Sequence, residues 1–203
     1  MADPAASDLL DRITALAADS LAAVFSSFRK EHPEEQVYSF GPYIPDDVGY
    51  VSIALFTEAG LAKVADTYQA ASGGDRASHV ASLRWSPADS PFHCYQEAQI
   101  AAVSDLLGQH RDADEATYVE THGYSLDDHW QQRVKARQVA LQKALTLADN
   151  RGTFDTFRDQ ITLCVWGGDQ SDEDRFLHAQ TLNPTHIYDH FVQSYTASFQ
   201  DDS

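Results

Sequence analysis

Six residues have types and positions that could do chemistry together: Arg84, Trp85 and Asp89 in one stretch, and Trp166, Asp169 and Asp172 in another. Each stretch is read as a strand that ends in a tryptophan before a turn and a helix. If the two turns converge, the indoles would floor a pocket whose carboxylates hold a cation or a partner's arginine. The plainer role for the same residues is an ion pair between Arg84 and Asp169 that locks the two loops together. Asp169 follows a glycine pair and precedes a helix whose first turn already carries three acids. It is therefore expected to accept backbone N–H groups or to pair with Arg84.

Other constellations are thinner. His186 and His190 stand four apart on an expected helix, with Asp189 beside them, and are the two weak candidates for metal ligands. A zincin needs Glu directly after the first histidine, where Ile187 stands, and no third ligand is identifiable, so no metal or other cofactor is assigned. His93 and Cys94, near Asp89 and Glu97, could supply a base and a thiol. Adjacent residues on a helix point different ways, however, and a buried thiol is the simpler reading. Asp112-Ala113-Asp114-Glu115 opens like a calcium loop but has Ala116 and Thr117 where a ligand and a glycine belong, so it is read as a solvated acidic loop. Phosphate-binding glycine loops, nucleophile elbows and Cys-x-x-Cys pairs are absent from the sequence.

The element that must position the first set is Ile161–Arg175. Ile161–Trp166 has the length and branching of a buried strand, Gly167-Gly168 permits a sharp turn, and Ser171 with Asp174 forms a capping box that starts a helix at Asp172. A helix start at a strand end is a common anion site. Here Asp169, Asp172, Glu173 and Asp174 would repel a phosphate, which leaves a structural hub or a site for a cation or a partner's arginine.

Around the hub, Ser7–Phe28 repeats apolar residues at three- and four-residue spacings and predicts an amphipathic helix that ends before Pro33. Val37–Ile44 and Val48–Phe56 flank Pro45-Asp46-Asp47 and predict a hairpin. Thr57 caps a helix over 58–70, and a third strand is expected over Val80–Trp85. A helix carrying Ile100, Val103, Leu106 and Leu107 precedes a patternless acidic stretch, 109–124, expected to be a mobile loop. Ser125 and Asp128 form a second capping box for a helix over 126–148, whose exposed face carries Arg133, Lys135, Arg137 and Lys143. Two helices follow the hub, separated by Asn183-Pro184. The order predicts one α+β domain over 1–203, with about four strands in a mixed or antiparallel sheet covered by helices.

Thirty-one acidic residues against 14 basic ones give a formal net charge of −17, which opposes polyanions at long range and disfavours nucleic acid. The acids are spread along the whole chain, either as a solvated surface or as a face that meets a basic protein. A chain of 203 residues can bury roughly 70% of its unfolded surface without staples. No apolar run approaches the roughly 20 residues that cross a bilayer. The absence of a signal-peptide pattern and the two isolated cysteines, Cys94 and Cys164, point to the cytoplasm.

The stretch 166–173, Trp-Gly-Gly-Asp-Gln-Ser-Asp-Glu, followed by Leu182-Asn183-Pro184 and preceded by Leu83-Arg84-Trp85-Ser86-Pro87-Ala88-Asp89, resembles the bacterial domain-of-unknown-function family 4303. Tyr38-Ser39-Phe40, Gly49-Tyr50-Val51 and Thr57-Glu58 fit as well, so the resemblance covers nearly the whole chain. It implies a bacterial, single-domain, intracellular protein and lends no reaction or catalytic residues. Small acidic bacterial families of this kind often accompany toxin systems as immunity proteins. Two functions follow as expectations: a non-enzymatic acidic module that binds a basic protein, or an enzyme or small-ligand or divalent-cation site using Arg84, Asp169 and Asp172.

Overall fold

One strand, β1 (Val37–Ile44), organises the sheet. It pairs antiparallel with β2 (Ser52–Thr57), Phe40 opposite Leu55 and Gly41 opposite Ala54. On its other side it pairs parallel with two short strands, β3 (Thr162–Leu163) and β4 (Trp166–Gly167). The structure is a computed structural model and describes residues 4–122 and 128–198. The expected strand over Ile161–Trp166 is thus split. The interruption faces Gly41 and Pro42, and Pro42 has no N–H to give to a ladder. Gly41 is needed for close approach, because a Cβ there would stand 1.8 Å from the Cys164 carbonyl oxygen.

Helices cover both faces. Phe40, Ile53 and Leu55 join α1 (Pro4–Glu31), α4 (Glu97–His122) and α5 (Asp128–Asn150) in one apolar cluster. Tyr38, Ala54, Phe56 and Trp166 join α2 (Glu58–Ser72), α3 (Arg76–Leu83), α6 (Asp172–Leu182) and α7 (Thr185–Ala197) in the other. This alternation of strand residues between two covered faces leaves β2 buried at every position and explains its unbroken apolar sequence. The fold is α+β with a mixed four-stranded sheet, as the sequence predicts. Thr57 caps α2 by accepting from the Gly60 N–H at 3.0 Å, and Ser171 caps α6 by accepting from the Asp174 N–H at 3.1 Å. The Ser125 cap expected ahead of α5 lies outside the described residues.

Two expected elements are corrected. Val80–Trp85 is not a strand: α3 runs through Leu83, and Arg84 continues in helical geometry. Asp75 starts α3 by accepting from the Ser78 N–H, and the segment has one β-branched residue, Val80, among helix-compatible Ala, Ser, Leu and Arg. The acidic stretch at 109–124 is not a loop as far as His122, because α4 continues to that residue. Its inward stripe runs Ile100, Val103, Leu107, His110, Asp114, Tyr118, all buried at helical spacing. The stripe changes from apolar to polar halfway, so hydrophobic periodicity could not reveal it.

Both outer edges of the sheet are occupied by groups that are not strands. On β2, the Cys94 N–H donates to the Ile53 carbonyl at 2.9 Å and the Ser90 hydroxyl donates to the Leu55 carbonyl. On β3, the Asn183 amide accepts from the Leu163 N–H at 2.9 Å and donates to the Leu163 carbonyl at 2.7 Å. Among the described residues, no helix is long and apolar enough to cross a membrane.

Candidate functional site

The two tryptophans do meet, although Trp85 follows a helix. Their rings stack with centroids 6.1 Å apart and planes 15° off parallel, boxed by Tyr38, Phe56 and Phe191. Trp166 is wholly buried and Trp85 nearly so, so the pair forms core rather than the floor of a pocket. The cavity lined by Tyr38, Phe56 and Asp89 beside this cluster is about 10 Å³, too little for a ligand.

The charged members of the set do not converge. Arg84 forks onto Glu58, at 2.8 and 2.9 Å, and lies over the Tyr38 ring, so the expected Arg84–Asp169 pair is replaced by an Arg84–Glu58 clamp between α3 and α2. Burial pulls the guanidinium's pKa down, but the Glu58 hydrogen bonds and charge outweigh it and the net shift is upward. Asp89 accepts from the Tyr68 and Ser86 hydroxyls, both at 2.6 Å, and closes its own loop. Asp172 accepts from Arg175 at 3.0 Å and from the Tyr195 hydroxyl at 2.6 Å. Burial, and then the hydrogen bond to Asp172, push the Tyr195 phenol up to about 12. Asp169 alone is left over. It is exposed, and it has no hydrogen-bond or ion-pair partner among the described residues, contrary to the structural role its position suggests.

Asp169 lies instead on a groove of about 500 Å³ between α5 and α6, a volume in the range of ligand sites. One wall is the α5 face carrying Gln131, Lys135, Gln138 and Gln142; the other is the α6 face carrying Asp174, Leu177 and His178. Asp46, from the loop after β1, joins Asp169 at one end. Asp46 is also exposed and has no partner among the described residues. Burial raises the pKa of the neighbouring Tyr43 phenol, with the charges of Asp169 and Asp46 adding to the effect. Gly168 packs closely under Tyr43: a Cβ there would stand 2.9 Å from the Tyr43 hydroxyl oxygen and would push the end of that side chain aside.

Two groove residues carry orphaned polar atoms. His178 is 7% exposed, and its Nδ1 has no hydrogen-bond partner. Burial lowers its pKa, partly opposed by Asp174, so the ring is neutral near pH 7. Gln170 accepts from the Gly167 N–H through Oε1 at 3.2 Å, which fixes the amide's orientation and leaves Nε2 buried and unpartnered. The sequence carried some signal for this groove, because Gln131, Gln138 and Gln142 share one face of a helix. The pairing of that face with the start of α6 is long-range and could not be read from spacing.

A second polar cluster lies on the other side of α5. Arg137, expected on an exposed basic face, is wholly buried. It donates to Asp114 at 2.7 Å and to the Asp47 carbonyl at 3.0 and 3.2 Å, with His110 Nδ1 3.2 Å away. Arg133 also bonds Asp114. Asp114 is therefore a buried anion and not part of a solvated acidic loop. Burial alone would raise its pKa, but His110, Arg133 and Arg137 together hold it below the ordinary carboxylate value.

The remaining candidates stay apart. His186 and His190 are exposed on α7, His186 lying 3.4 Å from Asp159. Among the described residues no three His, Cys, Asp or Glu side chains are grouped to hold a metal ion. Cys94 lies in a turn at φ 60°, and burial raises its thiol pKa, which makes it a poor nucleophile. Cys164 is fully buried and its pKa is raised by that burial.

The family model described as Domain of unknown function (DUF4303) matches residues 18–184, which include the hub, the groove and the Arg137 cluster. No curated protein and no solved structure matches the chain.

Proposed function

Since the chain belongs to the DUF4303 family, whose description names no reaction, we propose from its geometry that it is a non-enzymatic acidic binding module of the bacterial cytoplasm. It recruits a basic protein in the manner of an immunity or accessory protein. One observation carries this reading: Asp46 and Asp169 stand exposed and unpartnered at one end of the groove, while the other charges of the original site set are held within the chain. Unpaired carboxylates on a chain of net charge −17 attract cations through solvent and leave their own pairing to a visitor. The enzymatic alternative draws no comparable support, because Arg84 and Asp172 are engaged elsewhere.

The test is calorimetry with a lysine- and arginine-rich peptide at rising salt. Affinity should fall steeply between low salt and about 0.15 M, where charges are screened over roughly 8 Å. Binding that ignores salt, or no binding at low salt, would remove the proposal.

A further inference from the structure

We propose that the groove between α5 and α6 reads an arginine-bearing peptide segment of the partner; this rests on the acidic-module reading and makes it specific. The guanidinium is held by Asp46 and Asp169, and the adjoining peptide backbone meets Gln170 and His178.

Three features of the groove select this occupant. Among the described residues its carboxylates, Asp46, Asp169 and Asp174, outnumber its one cation, Lys135, so the guest is cationic. Asp46 and Asp169 come from separate loops, and a planar guanidinium with five donors in a fork can serve two carboxylates at once. A lysine ammonium, compact and more strongly hydrated, reaches them as a point charge. The third feature is the pair of orphaned atoms. His178 Nδ1 has no partner, whichever nitrogen of the neutral ring carries the proton, Gln170 Nε2 lacks an acceptor, and both are shut off from water in the unbound chain. A peptide unit offers an N–H and a C=O together, so small turns of the two side chains on binding would satisfy both. A metal ion or a polyamine cannot accept from Gln170, and a lone anion would meet three carboxylates.

The experiment is an NMR titration of the full chain with hexa-arginine, with hexa-lysine as the control, at one low salt concentration. Hexa-arginine should bind about tenfold tighter than hexa-lysine, a difference of about 1.4 kcal/mol, and its shifts should cluster at 44–46, 131–142 and 167–181. Asp169→Asn changes a side chain without partners, so it should fold normally and weaken hexa-arginine several-fold. Asp46→Asn combined with Asp169→Asn should erase the preference for arginine, whereas His178→Leu should weaken both peptides alike, since each offers the same backbone. Equal affinity for the two peptides, or shifts centred on exposed acids elsewhere such as Asp11, Asp66 and Asp105, overturns the groove and leaves the acidic-module reading standing. Failure of both peptides to bind overturns both.

Discussion

Helix α5 separates two polar clusters that use similar residues to opposite ends. On one side Arg137, His110 and Asp114 close on one another and on the Asp47 carbonyl, out of water, with Arg133 reaching Asp114 from the half-buried rim, and they join α4, α5 and the loop after β1. On the other side Asp46 and Asp169 reach solvent without partners, beside a histidine and a glutamine whose buried atoms have none. The charges of the first cluster are paired internally, although His110 Nε2 is left without a partner among the described residues, so its energy goes into holding helices together. The second is unmatched, and that mismatch is available to a ligand. Charge content does not separate a structural cluster from a recognising one; internal satisfaction does.

Breaking the matched cluster should give the largest effect. Arg137→Met leaves buried Asp114 with Arg133 and His110 only and strips the Asp47 carbonyl of its donor, and should cost about 2 to 4 kcal/mol in urea unfolding. Arg137→Lys, which keeps the charge but loses the fork, should fall between. A loss under about 1 kcal/mol for Arg137→Met would show that α4 and α5 are held by their apolar contacts alone.

Acid should weaken the two sides in turn. His178 has a lowered folded pKa, so the unfolded chain binds its proton first, and stability full above about pH 6.5 declines as the pH falls below that. Asp114 also has a lowered folded pKa. Its contribution is complete above about pH 4 and is lost as the pH drops toward the folded value. Melting temperatures across pH 3 to 8 should show the upper step shrink in His178→Leu and the lower one shrink in Asp114→Asn. An unchanged upper step in His178→Leu would assign it to another group, such as His93, whose pKa burial also lowers.

The smaller effects belong to the unmatched side. His178→Leu removes an orphaned atom and should raise stability near pH 7 by about 1 kcal/mol. Asp169→Ala should leave stability within about 0.5 kcal/mol while reducing affinity for a basic peptide. A loss of 1 kcal/mol or more in Asp169→Ala would restore the internal role that its position in sequence suggests.

What could be foreseen from the sequence divides along the same line. Thr57, Ser171, the α1 stripe, the first two strands and the Asn183-Pro184 break are local signals, and each appears as expected, except that β2 starts at Ser52 and not at Val48 because Val48, at φ 49°, belongs to the turn. The two tryptophans meet as expected, but the matching strand ends read from the sequence are not what brings them together, since Trp85 follows helix α3. Arg137 was misread because a basic residue on a polar helix face is usually solvated; its burial depends on Asp114, 23 residues away on a helix whose inward stripe is itself polar. Asp169 was misassigned because Glu58, not visible as a partner in sequence, reaches Arg84 first. The groove needs two helices far apart in the chain, and no periodicity within either one announces it.

The groups seated on the sheet edges decide what happens when many copies crowd together. β2, Ser-Ile-Ala-Leu-Phe-Thr, is uncharged, free of proline and rich in β-formers, the composition that seeds fibrils once its outer row of carbonyls is bare. In the native chain Ser90 and Cys94 sit on that row, held by a turn that includes two non-glycine residues with positive φ, Cys94 at 60° and Gln96 at 55°. Such a turn is the weaker partner in the arrangement, so warming peels it from β2 before the sheet itself melts. The nucleating surface then appears on a molecule still largely folded, and Ser90→Ala should form dye-binding aggregates sooner than the parent at temperatures well below its melt. Aggregation of Ser90→Ala at the parent's rate would show that the segment 90–96 does not guard this edge.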